Sequence, residues 1–149
     1  METPIELMES TSQSVHSVLK AHFPDYVAYD NHAYSIDAGS SRVMIIIRPF
    51  TNSDTSIECM AMLVSGATIN EELLRFLMRK NAELHFGAFS LLFDDTICFA
   101  HSIAGTHADE NEILTSIKSV ALIADHYDDE IIAIAGGKRC SELTEMENI

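Results

Sequence analysis

Arg42-Val-Met-Ile-Ile-Ile-Arg-Pro-Phe50, followed after a short polar break by Ser56-Ile-Glu-Cys-Met-Ala-Met-Leu-Val-Ser65, is the stretch that decides what this chain can be. Side chains alternate across a strand, so Val43, Ile45 and Ile47 point one way while Met44 and Ile46 point the other. In the second strand Ile57, Cys59, Ala61 and Leu63 oppose Glu58, Met60, Met62 and Val64. Both strands are therefore apolar on both faces. An antiparallel sheet with one solvated face alternates cleanly between apolar and polar residues, and these strands do not. Something covers the second face: another helix of the same chain, or a partner subunit or bound peptide. The methionines suit the latter, because flexible thioethers adapt to varied side chains.

Outward from this pair, Thr11 to His22 places Val15, Val18 and Leu19 at helical spacing, and Pro24 ends that helix. Short extended pieces at Tyr26–Ala28 and Ala33–Asp37 flank the turn residues Asp30-Asn31. Thr68-Ile-Asn-Glu71 reads as a capping box opening a second helix with Leu73, Leu74, Leu77 and Met78 on its apolar stripe. A hairpin comes next: Phe86–Phe93, a turn at Asp94-Asp95, and Thr96–Ala104. Its return strand sets Ile97, Phe99, His101 and Ile103 against Cys98, Ala100, Ser102 and Ala104, and the small residues predict that a helix or sheet crowds their side. Asp109, with Glu112 three residues on, starts a last helix. Its seam runs through Ile113, Ile117, Val120, Ala124, Tyr127, Ile131 and Ile134 until Gly136-Gly137 closes it.

The expected fold is α+β, in the order helix-βββ-helix-ββ-helix, with a twisted antiparallel sheet flanked by helices. Residues 1–10 are expected to fray, 11–139 to form a single domain, and 140–149 to be an acidic tail with too little apolar content to pack.

At 149 residues and 47% hydrophobic content, the chain can bury a core without disulfides or a structural metal. The run Val43 to Ile47 is far short of the roughly 20 apolar residues a membrane span requires. Met1-Glu-Thr-Pro-Ile-Glu-Leu lacks a basic flank leading into an apolar stretch, so a cytoplasmic location is the expectation. Cys59, Cys98 and Cys140 are unclustered and read as reduced, mostly buried thiols. A formal charge of −14 repels a phosphate backbone and argues against nucleic acid as a partner.

Catalytic chemistry has little to stand on. Gly136-Gly137-Lys138-Arg139 lacks the phosphate-loop pattern. None of the seven histidines forms an H-x-x-x-H or H-E-x-x-H pair, so neither metal nor cofactor is expected. His101, His107 and Asp109 lie near one loop and carry the rival reading of a small metal- or ligand-dependent enzyme. Asp125, Asp128, Asp129 and Glu130 sit near the negative end of the last helix and read as a hydrated acidic face, with calcium as a remote alternative.

Asn81-Ala-Glu-Leu-His-Phe-Gly-Ala-Phe-Ser, the hairpin after it, Ile123-Ala-Asp-His-Tyr-Asp-Asp and the closing Gly136-Gly137 together resemble the YbjN family over roughly the whole domain. YbjN-like proteins are similar in fold to the small chaperones of type III secretion, in which two subunits commonly pair. The resemblance implies peptide or partner binding without catalysis, and it carries no catalytic residues. The expected function is a non-enzymatic, homodimeric adaptor, chaperone or regulator, with a structural subunit of a larger assembly as a further rival. The expected contacts with a peptide or protein segment are Val15 and Leu19 of the first helix with Met44, Ile46, Met60 and Met62 of the strands. The complementary set, Val43, Ile45, Ile47, Cys59 and Ala61, is the alternative exposed face.

Overall fold

The computed structural model describes residues 2–142. Its elements are α1 (Ile5–His22), β1 (Val27–Tyr29), β2 (Ala33–Ala38), β3 (Ser41–Pro49), β4 (Thr55–Ser65), α2 (Glu71–Glu83), β5 (Ala88–Leu91), β6 (Ile97–Ala104), α3 (Glu110–Ala135) and β7 (Lys138–Arg139). One antiparallel seven-stranded sheet runs β1-β2-β3-β4-β6-β5, with β7 added against β4. The fold is α+β, and the outline read from periodicity gains β1 and β7 as strands of their own.

Side-chain alternation sorts the strands into two layers. Ile36, Val43, Ala61, Phe99 and Phe89 stand opposite one another across β2, β3, β4, β6 and β5. Ile45 with Cys59, and Ile47 with Ile57, lie on the same side. All are buried, as are Val15 and Leu19 of α1 and Ile113, Ile117, Val120 and Ile131 of α3, and together they form the core. Both helices pack on this face, α3 along β3, β4 and β6 and α1 against β3 and β4. The 26-residue α3 is about 39 Å long at 1.5 Å per residue, long enough to cross the sheet from end to end. Each side chain sealed beneath it contributes about 1.5–3 kcal/mol relative to exposure.

The helix starts differ instructively from the pattern reading. α1 begins at Ile5, not Thr11, because the Pro4 carbonyl accepts from the N–H groups of Leu7 and Met8. The Thr3 hydroxyl ties this start to the Thr51 carbonyl at 2.6 Å. α2 is capped by Asn70, whose side chain accepts from Leu73 N at 2.9 Å, and not by Thr68. Thr68 instead donates its N–H to the Ala135 carbonyl, fastening the approach to α2 onto the end of α3. Asp109 caps α3 as its spacing predicts, accepting from Glu112 N at 2.8 Å.

Past Gly136 the chain reverses into β7, and Gly137 sits at φ +92° beside β4. A Cβ there would lie 2.7 Å from the Ser65 carbonyl oxygen, so only glycine permits the pairing of Lys138 and Arg139 with Ser65 and Val64. Cys140 to Glu142 turn helical directly afterwards. The remainder of the expected acidic tail, 143–149, lies outside the described residues.

Candidate functional site

The other face of the sheet carries the short helical turn that begins at Cys140, whose Cys140 and Ser141 lie beside Met60 and Met62. Its middle row, read strand by strand, is Val27, Ser35, Met44, Met60, Ala100 and Ala88. The row on one side runs Tyr29, Ala33, Ile46, Glu58 and Ser102. Met44, Ile46 and Met60 are half-buried, while Met62 is 48% exposed. These four expected contact residues thus share one bare face.

Val15 and Leu19 do not join them. Both are 0% exposed, under the opposite face, because α1 and α3 lie side by side on the same layer. The alternative set Val43, Ile45, Ile47, Cys59 and Ala61 is buried there too. β6 reverses its expectation: its large residues meet the helices, and its small ones, Ala100, Ser102 and Ala104, stand on the bare side. Small side chains lower the surface of that half of the sheet and leave the methionines standing above it.

A groove of about 510 Å³ opens over Met44, Met60 and Met62. It is lined also by the β2–β3 turn at Gly39-Ser40-Ser41, by Tyr29, and by Cys140 and Ser141 just beyond β7. Its size lies within the roughly 300–1,000 Å³ of ordinary ligand clefts. Charge lines it as well: Arg42 donates to Asp37 at 2.9 Å, and both residues border the groove.

The groove's wall is held by residues the sequence placed in a hydrated acidic cluster. The Ser40 hydroxyl lies 2.7 Å from a carboxylate oxygen of each of Asp125 and Asp128, and Ser40 N–H donates to Asp125 at 2.9 Å. These bonds hold the Asp125 carboxyl below the usual carboxylate range, the backbone N–H contributing most. Asp128 is 2% exposed and pairs with Arg139 at 3.3 Å. Arg139 also pairs with Asp129 and donates to Glu142 at 2.9 Å. The late carboxylates of α3 therefore tether both the β2–β3 turn and the strand leading out of α3. The signal available in the sequence was Lys138-Arg139 placed just beyond a helix rich in Asp.

At the opposite end of the sheet, the Asn81 side chain accepts from Phe89 N at 2.7 Å and donates to the Phe89 carbonyl at 3.2 Å. It imitates a neighbouring strand along the outer border of β5. Gly87, at φ +105°, brings the chain to within 2.7 Å of Ala100 O from where a Cβ would stand. The Asn81-Ala and Phe86-Gly87 features of the sequence thus have one purpose, the fastening of β5.

His101, His107 and Asp109 are not brought together as a ligand set. Among the described residues, no group of three or more His, Cys, Asp or Glu side chains is placed to hold a metal ion. His101 lies on the helix-covered face, edge-on to Phe86, and burial lowers its pKa. His107 is exposed, and Asp109 is committed to its helix cap. Burial pushes the Cys59 thiol up to about 12, which suppresses the reactive thiolate.

An antiparallel sheet with helices packed on one side and an apolar groove on the other has the fold of the small type III secretion chaperones. The chain belongs to the family described as T3SS (YopN, CesT) and YbjN peptide-binding chaperone 1, TY-Chap1, whose model matches residues 9–143. A comparison with curated proteins finds no match. Among the described residues, no helix is long and apolar enough to cross a membrane.

Proposed function

We propose that this protein is a non-enzymatic, chaperone-like adaptor that holds an apolar peptide segment of a client protein on the bare sheet face, working as a homodimer in the cytoplasm. The observation that carries the reading is the groove of about 510 Å³ over Met44, Met60 and Met62, beside which the same face continues into the small Ala100 and Ala88. Thioethers supply adaptable apolar contact, and the charged pair that borders the groove, Arg42–Asp37, suits the polar rim of a protein interface. Met44, Ile46, Met60 and Met62 are the contact residues. Support for pairing comes from a second apolar region: Phe86, Leu92 and Phe93 are exposed around β5 and its turn, and Met78 is exposed on α2, which packs beside β5.

A panel of ten-residue apolar peptides, titrated by fluorescence anisotropy, tests the site. Replacing Met60 by Lys is expected to weaken binding by about tenfold or more, since an unpaired charge must be desolvated at the contact, while far-UV circular dichroism stays unchanged. Equal affinity of the variant for every peptide would remove the face from consideration. Sedimentation equilibrium tests the dimer separately, and a strict monomer at all concentrations would eliminate it.

A further inference from the structure

The lining of the groove is low at one point, and a negative charge stands directly behind it. Gly39 borders the groove without a side chain, and a Cβ there would lie 2.6 Å from Asp125 Oδ1. The exposed Asp125 carboxylate therefore occupies the place a side chain would take. Its Oδ1 accepts the N–H and the hydroxyl of Ser40, both neutral donors. Such bonds favour the ionised carboxylate without cancelling its charge. Among the described residues Asp125 has no ion pair of its own, since Arg139 is taken by its neighbours.

The other charges at this end leave it negative. Arg42 is engaged by Asp37, and both border the groove. Arg139 is shared among Asp128, Asp129 and Glu142, three carboxylates on one guanidinium. Lys138, exposed in β7, adds a single further cation. Carboxylates thus outnumber cations around the β2–β3 turn and β7, in a chain whose formal charge is −14. A field of that sign draws in positive groups and repels acidic ones. The methionines Met44, Met60 and Met62 in the same groove supply apolar contact without charge.

We infer that the client segment is cationic as well as apolar: its apolar side chains lie over Met44, Met60 and Met62, and a flanking Lys or Arg crosses the turn at Gly39 to pair with Asp125. This gives the partner's chemistry for the peptide-binding reading and rests on that reading. The long stem of either residue carries its charge over a turn that has no side chain in the way, and its methylenes add apolar contact as they pass. The pair is open to solvent at the Asp125 end, so it contributes selectivity more than affinity, about three- to fivefold in binding. An acidic segment meets Asp37 and Asp125 with like charge and is rejected.

Three ten-residue peptides with one shared apolar core, flanked at both ends by Lys, by Gln or by Glu, test this by fluorescence anisotropy. Each is titrated into the full chain and into the full chain carrying Asp125→Asn. Asparagine keeps a side-chain oxygen for the Ser40 N–H and removes the charge. In about 20 mM salt the Lys-flanked peptide is expected to bind about three- to fivefold more tightly than the Gln-flanked one, and the Glu-flanked peptide more weakly than either. The preference for Lys should largely vanish at about 1 M salt, where the screening length is about 3 Å. It should also vanish in Asp125→Asn, with the Gln-flanked peptide unaffected. Equal binding of the Lys- and Gln-flanked peptides overturns the inference and leaves apolar peptide binding standing. A Lys preference that persists in Asp125→Asn overturns the pairing with that carboxylate. A variant that weakens the Lys- and Gln-flanked peptides alike overturns it too, because Asp125 then serves only to hold the turn. Binding of none of the three removes the peptide-binding reading itself and the inference with it.

Discussion

The two faces of this sheet are made from alternate residues of the same strands, so they share length, twist and backbone hydrogen bonds, and differ only in what lies over them. Ile45 and Cys59 on one side are sealed under α1 and α3, whereas Met44 and Met60, one residue away, are half open. Apolar content alone does not decide burial. The side chains differ in stiffness too: branched Ile45 and Ile47 have few rotamers beneath the helices, whereas unbranched Met44 and Met60 on the open side have many.

The comparison can be broken most sharply by Ile45→Ala, expected to cost about 2–5 kcal/mol because a well-packed interior collapses poorly around the space left. Urea unfolding measures it. Asp128→Ala comes next, at about 2 kcal/mol, below the range for a fully buried pair because Arg139 remains partly exposed. It should also loosen the β2–β3 turn, visible as faster amide exchange at Ser40. Met60→Ala on the bare side is expected to cost under about 1 kcal/mol. A loss equal to that of Ile45→Ala would mean that the two faces do not differ energetically.

The smallest effect is one of pH. Asp125 has a depressed folded pKa, so its contribution is fully present above the unfolded value and is lost as pH falls through the lower, folded one. The Ser40 tether should therefore stay intact at neutral pH and release only below about pH 4. Amide chemical shifts of Ser40 followed through an acid titration check the sign, since release on raising the pH would contradict it.

Much of the architecture was legible because alternation and helical spacing are local. The strands from Val43 to Val64, the hairpin around Asp94-Asp95, the Asp109 cap and the Gly136-Gly137 stop could each be read from their own residues. Which side of the sheet the helices take was not legible, because β3 and β4 are apolar both ways and no local rule separates the choices. The same ambiguity groups Val15 and Leu19 with the methionines, although they lie beneath the other layer. The small residues of β6 misled for the opposite reason: they mark close approach, and the structure uses them to lower a surface. Asp128 could not be placed because its partner Ser40 lies 88 positions away along the chain. The start of α1 was obscured by the lack of period in the first ten residues, although Pro4 offered a boundary signal.

The side-chain amide of Asn81 has a consequence for crowded solutions. Sheet proteins polymerise when the border strand of one molecule zips onto the border strand of the next, and fibres grow by repeating that step. Here the outward main-chain groups of Phe89 are already spoken for. Side-by-side growth from this border must first evict Asn81, so this margin of the sheet is not offered as a seed.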